Sequence, residues 1–157
     1  MPGGIDYDER QWTVYAKGRA PSPALLELWT EAFGRYLDPA RHRTVLDLGS
    51  GVGHLSVLLA DAFGATVTGL EPSDRMREVA ERENPHPRVR YLEGSGEAIP
   101  VADGAFDAAL LSYVVHHLDD PEAAVAELRR VLRPHALVLL RSTLRDSLPR
   151  VPHCASG

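Results

Sequence analysis

Short apolar runs alternate with helical patterns along this chain, and that alternation restricts the fold more than any other feature. The runs are Thr44–Leu48, Thr66–Leu70, Val89–Leu92, 106–111 and 136–140. Each is brief and nearly all apolar, as strands are when both faces of a sheet are covered. Between them, apolar residues recur at helical spacing. Leu25, Trp29, Ala32, Phe33 and Tyr36 share one face of a segment from 22 to 37, with Ser22 placed to cap it and Pro23 at its first position. Leu55, Leu58, Leu59 and Ala62 define a second helix closed by Gly64. Met76, Val79 and Ala80 define a third, capped by Ser73 and stopped at Asn84-Pro85. Asp120-Pro121 opens a fourth with Val125, Leu128, Val131 and Leu132 inward, and Arg129, Arg130 and Arg133 near its end suit the helix dipole. Strand-helix alternation of this kind predicts an α/β fold, a doubly wound and mostly parallel sheet of about five strands with helices on both faces.

Length and composition agree with one such unit. A chain of 157 residues with 44% hydrophobic and 25% charged residues fits a single globular domain with a sizeable core. The longest apolar run has five residues, 136–140, far short of a membrane span, so no membrane partner is expected. The first ten residues hold Asp6, Asp8 and Glu9 and no apolar core, so no secretory signal is expected and the cytoplasm is the expected setting. The single cysteine, Cys154, excludes an internal disulfide. A net charge of −5 and the lack of a basic stripe argue against nucleic acid as partner. No paired ligand spacing on one helix suggests a metal.

Doubly wound sheets bind ligands beyond the carboxyl ends of their strands, so the residues after each strand carry the information. After the first strand comes Asp47-Leu48-Gly49-Ser50-Gly51-Val52-Gly53. Glycines at alternate positions let backbone N–H groups and a helix N-terminus approach a ligand closely. A diphosphate-binding turn wants a third glycine five positions after the first, and that position is His54. The spacing therefore favours a ligand without a diphosphate. Glu71 ends the second strand, 22 residues after Gly49, where a carboxylate can accept both hydroxyls of a ribose. A nicotinamide dinucleotide and another adenosine cofactor would both use it.

In VLDLGSGVG at 45–53, GLEPS at 69–73, EGSGEAIPVADGAFDAALLSYVVHHLDDP at 93–121 and LRRVLRPHALVLL at 128–140, the chain resembles the class I S-adenosylmethionine-dependent methyltransferases. Within them it is most similar to the small-molecule enzymes related to ubiquinone and menaquinone biosynthesis. The tract YAKGRAPSP at 15–23 is similar to the segment that precedes the core in many members. The resemblance implies a Rossmann-like sheet, S-adenosylmethionine as cofactor and a small-molecule acceptor. It places Gly49, Ser50 and Gly51 by the methionine portion, with Asp47 organising the turn and reaching the amino group. It puts Glu71 on the ribose, Pro72 and Met76 beside the adenine, and Ser95, Gly96 and Glu97 at the adenine edge. Members commonly have Asp where Ser95 stands. Ser112 would line the cofactor from the far side of the switch point, and Tyr15 and Arg19 resemble residues that close over its carboxylate. His116 and His117 are the candidates to take a proton from an acceptor, since neutral imidazole is available near pH 7.

The same resemblance marks two departures. The family sheet continues past its fifth strand with a helix and an antiparallel hairpin, and here 141–157 offer no such pattern. The chain thus reads as an N-terminal segment at 1–21, a cofactor-binding core at 22–142 and a disordered tail at 143–157, a truncated core lacking the hairpin. Its fifth strand is expected at an unprotected edge that invites a homo-oligomer. The second departure is His135, where a glycine is usual before the fifth strand. The leading expectation is methyl transfer from S-adenosylmethionine to a small molecule. Two others stand beside it: a non-catalytic cofactor-binding core acting through a partner or a second copy, and an NAD(P)-dependent oxidoreductase, which His54 and the lack of a Tyr-x-x-x-Lys pair disfavour.

Overall fold

In a computed structural model the described residues are 20–142, so the N-terminal segment through Arg19 and the tail from 143 lie outside them. Helix α1 (Pro23–Gly34) begins where the sequence placed it, with the Leu25 N–H donating to the Ser22 hydroxyl at 3.3 Å. It ends before Leu37, because the Tyr36 and Leu37 N–H groups both turn back to the Phe33 carbonyl. Leu37 is nonetheless buried, which is why it extends the apolar pattern past the helix itself. There follow β1 (Thr44–Leu48), α2 (His54–Phe63), β2 (Thr66–Leu70), α3 (Asp74–Glu83), β3 (Val89–Leu92) and β4 (Phe106–Ser112). A short 3₁₀ turn (Val115–His117), α4 (Pro121–Val131) and β5 (Leu132–Arg141) complete the described chain.

The five strands form one sheet in the order β3-β2-β1-β4-β5, and every strand pair in it is parallel. The chain winds outward from β1 through β2 to β3, then returns to the other side of β1 to lay down β4 and β5. The strand order reverses between β1 and β4, where such sheets bind ligands. Alternation along the strands supplies a core on each face. On one, Val45, Val67, Ala108 and Leu110 meet Phe33 of α1 and Leu58 and Leu59 of α2. On the other, Leu46, Leu48, Leu70 and Leu111 meet Val131 and Leu128 of α4. The doubly wound α/β expectation holds.

β5 departs from the expected 136–140. It starts at Leu132, directly after α4, and pairs Leu132 with Phe106 before pairing Leu137 with Ala108. Two steps along β4 thus match five along β5, so the segment at Arg133, Pro134 and His135 bulges out of the ladder. Pro134 has no N–H to lose there, and His135 takes φ 65 in the left-handed region. A glycine would fit that φ without strain; the histidine accepts it. β5 is the outer strand, with Val138 47% and Leu140 62% exposed on the face away from α1.

Candidate functional site

The turn after β1 is fastened from below before any ligand is considered. The Gly49 and Ser50 N–H groups both donate to the Leu70 carbonyl at the end of β2, at 2.8 and 3.1 Å. The Gly53 N–H closes the turn on the Ser50 carbonyl at 3.0 Å, and α2 starts at the next residue. Asn84, which ends α3, donates its side-chain amide to the Val52 carbonyl at 2.7 Å, and the Tyr91 hydroxyl donates to the Asn84 carbonyl at 3.0 Å. All three glycines of the turn have positive φ, but for different reasons. A Cβ on Gly49 would lie 2.6 Å from Val114, and one on Gly53 would overlap the Tyr91 hydroxyl. A Cβ on Gly51 would meet nothing within 4 Å. The protein's own packing requires the first and third glycines; at the second, the space is open.

Two carboxylates flank the turn. Glu71, at the end of β2, accepts the Gly51 N–H on Oε2 and the Ser73 N–H on Oε1, both at 3.0 Å. These two bonds fix the Glu71 carboxylate against the turn. Asp47 is fully buried and accepts the Ser56 hydroxyl of α2 at 2.6 Å. Burial pushes its carboxyl up to about 6; the Ser56 hydrogen bond opposes that rise and the charge of Glu71 adds to it. Asp47 therefore ties β1 to α2 under the turn. Ser50 turns its hydroxyl down over Gly69, where it is buried without a hydrogen-bond partner among the described residues. Burial also pushes the Tyr91 phenol up to about 12.

The other wall comes from two loops that the fold brings together. Glu97 accepts the Asp119 and Asp120 N–H groups at 2.8 and 3.3 Å, pinning the loop after β4 to the loop after β3. Burial alone would raise the Glu97 carboxyl, but the Asp120 N–H and its other hydrogen bonds, among them the Ser95 hydroxyl, hold it lower than usual. A Cβ on Gly96 would lie 2.8 Å from Leu118, so that glycine lets the two loops close. Val114 seats over Gly49 in the same way. Ser112 ends β4 and its hydroxyl accepts from Arg141 at 3.0 Å. Beyond it, His116 is exposed and His117 half-buried, with ring centroids 3.7 Å apart. Burial lowers the His117 imidazole below its ordinary value, which favours the neutral form.

The structure thus assembles Asp47, Gly49, Ser50, Gly51, Glu71, Ser95, Gly96, Glu97 and Ser112 around the switch point. Pro72 is exposed beside Glu71, whereas Met76 is only 4% exposed, its side chain within the packing of α3. Arg19 and Tyr15 fall outside the described residues. Sequence reasoning missed Val114, Leu118 and Tyr91, because their partners are glycines distant in sequence. It also missed Arg141, read only as the residue after an apolar strand. His54 opens α2 half-buried, and burial lowers its imidazole although Glu83 acts the other way. Among the described residues, no cluster of three His, Cys, Asp or Glu could hold a metal, and no helix is long and apolar enough to cross a membrane.

Comparison with known proteins bears on this arrangement. Residues 46–140 match a family described as a methyltransferase domain. An uncharacterized methyltransferase of Mycobacteroides abscessus is 40% identical over 123 residues, 76% of this chain and 46% of that protein. A demethylmenaquinone methyltransferase of Clavibacter sepedonicus is 32% identical over 132 residues, 83% of this chain and 52% of that protein. The crystal structure of a putative S-adenosyl-L-methionine-dependent methyltransferase from Methanococcus maripaludis superposes with a TM-score of 0.64 at 26% identity, covering 75% of this chain and 53% of that one. The chain spans about half the length of these relatives.

Proposed function

The chain belongs to the class I S-adenosylmethionine-dependent methyltransferase family, and on that premise we propose that it transfers a methyl group from S-adenosylmethionine to a small-molecule acceptor. The observation that carries the reading is the open space at Gly51, whose N–H donates to the Glu71 carboxylate. A side chain at Gly51 would meet nothing of the protein's own, so the turn keeps room for a bound group beside the Glu71 carboxylate.

The residues present fit the cofactor. Gly49, Ser50 and Gly51 would carry its methionine portion, Glu71 its ribose hydroxyls, Pro72 its adenine face, and Ser95, Gly96 and Glu97 its adenine edge, whereas Met76 would support that face from within the packing of α3. Ser112 and, from outside the described residues, Arg19 would complete the enclosure. When bound, S-adenosylmethionine supplies a methyl group on a sulfonium, poised for in-line displacement. The chain's own contribution is to hold the reacting atoms near attack geometry and keep water out. Val114 and Leu118 perform the exclusion by sealing the loop after β4 against the glycine turn and the 94–97 loop. In this reading His117, whose burial favours the neutral imidazole, would accept the acceptor's proton, with the exposed His116 beside it.

The reading includes a cytoplasmic setting, with a single cysteine leaving no internal disulfide, and no role for nucleic acid in a chain of net charge −5. It also includes association of two copies through the outer edge of β5. A second reading, a cofactor-binding core acting through a partner, draws support from Val138 and Leu140, which stand exposed on β5. Conversion of S-adenosylmethionine to S-adenosylhomocysteine with a panel of small phenols, amines and carboxylic acids separates the two. Transfer to any acceptor supports the enzyme. Tight cofactor binding with no turnover across the panel favours the core. Glu71→Ala is expected to lose about 1–3 kcal/mol of cofactor affinity, the scale of charged hydrogen bonds to a ligand. Unchanged affinity would remove Glu71 from the site.

A further inference from the structure

Three arginines among the described residues are half-buried: Arg77, Arg130 and Arg141. Arg77 meets Asp74 and Glu93, and Arg130 meets Glu127 and Asp103, so both charges are compensated. Arg141 meets no carboxylate among the described residues, although a half-buried charge ordinarily has a partner. Its guanidinium instead lies 4.2 Å from the centroid of Trp29 and 4.6 Å from that of Tyr113. Among the described residues it makes one side-chain hydrogen bond, from Nη1 to the Ser112 hydroxyl at 3.0 Å. The Tyr113 N–H donates to the Arg141 carbonyl at 2.9 Å, and Tyr113 holds φ 55, a left-handed conformation that brings its ring to the guanidinium. The group is therefore held on three sides, and among the described residues most of its five donors stay available.

Its place gives that arrangement a purpose. Arg141 pairs with Ser112 across the carboxyl ends of β5 and β4, next to the candidate methyl-transfer site. Among the described residues it is also the one charged side chain lining a groove of about 440 Å³ between α1 and β5, whose other walls include Trp29, Phe33, Leu110 and Leu139. An apolar groove with a guanidinium stacked between Trp29 and Tyr113, and facing no carboxylate among the described residues, at the ligand-binding end of the sheet fits an apolar body carrying one planar anion. We propose that Arg141 binds the carboxylate of an apolar small-molecule acid, the acceptor class of the proposed reaction, and so acts as a specificity residue. The inference rests on the methyl-transfer reading for the word acceptor, but the binding claim is tested separately.

The test is a titration of the full chain, saturated with S-adenosylhomocysteine, with benzoate and with its neutral counterpart benzamide, in wild type, Arg141→Gln and Arg141→Lys. Wild type is expected to prefer benzoate by about tenfold or more, the factor that a charge-assisted pair supplies. Arg141→Gln should bring the two probes to parity, and Arg141→Lys should restore part of the preference. A merely structural arginine would weaken both probes alike, and equal affinities for benzoate and benzamide in wild type would overturn the proposal. So would an unchanged preference in a folded Arg141→Gln. If Arg141→Gln instead weakens S-adenosylhomocysteine while leaving 5′-methylthioadenosine unaffected, the guanidinium serves the cofactor's own carboxylate, and the acid-acceptor assignment falls. Failure of wild type to bind S-adenosylhomocysteine would sink the methyl-transfer reading alone, since benzoate against benzamide still decides the arginine.

Discussion

The turn after β1 and two places on the other side of the sheet, the end of β4 and the bulge early in β5, bend through the same left-handed backbone region, yet they do so with opposite residues. Gly49, Gly51 and Gly53 carry no side chain; Tyr113 and His135, at φ 55 and 65, do. In an L-residue that conformation costs on the order of 1 kcal/mol, so each exception calls for a local reason. At Tyr113 the ring gains a contact with Arg141. At His135 the side chain is exposed on a bulge and gains nothing visible among the described residues. At Gly49 and Gly53 a side chain would strike Val114 or Tyr91, whereas at Gly51 it would strike nothing. Three glycines in five positions therefore separate into two that the protein needs for itself and one that it keeps clear.

That separation breaks most visibly in a pair of variants. Gly49→Ala adds left-handed strain to an overlap with Val114 and should cost about 3 kcal/mol of stability, read by chemical denaturation. Gly51→Ala should cost only about 1 kcal/mol of stability, from its φ, yet lose about 2 kcal/mol or more of cofactor binding by filling the cradle. Equal losses of stability in the two variants, with binding intact in Gly51→Ala, would erase the distinction.

Asp47 sharpens the same contrast by showing what the turn stands on. Its carboxyl is held up to about 6 in the folded chain, above the unfolded value near 3.9, so the folded state binds the proton more tightly. The associated stability is fully present below about pH 4 and is lost as pH rises through about 6, amounting to about 3 kcal/mol. Asp47→Asn keeps an acceptor for Ser56 and removes the titration. The variant should melt above wild type at pH 8, with the gap closing by pH 4. A gap independent of pH would show that burial of this charge carries no penalty. The smallest effect concerns the exposed exception: His135→Gly should stabilise the chain by about 0.5–1 kcal/mol, seen as a modest rise in melting temperature. No rise would mean that the histidine makes a compensating contact.

What the sequence made legible was local. Ser22, Ser73 and Asp120 cap α1, α3 and α4 through hydrogen bonds to N–H groups three residues on, because capping chemistry is written within one turn. The strand pattern, the glycine turn and Glu71 were legible for the same reason. Long-range pairings were not. Arg130 looked like a charge complementing the dipole of α4, but it donates to the Ile99 and Val101 carbonyls and pairs with Glu127 and Asp103, holding the loop before β4. The hydrogen bonds of Arg130 push the Glu127 carboxyl down to about 2. The apolar run alone marked the fifth strand, so the start of β5 was set too late at 136; the ladder resumes beyond Pro134 because the bulge needs no N–H there. Val114, Leu118 and Arg141 carry no local signature at all.

The central claim is that the space at Gly51 belongs to an adenosine cofactor without a diphosphate. Calorimetric titration of the purified chain with S-adenosylhomocysteine and, separately, with NAD tests it most directly. The account predicts micromolar binding of the first and none of the second. A folded chain that binds NAD, or that binds neither, would contradict it.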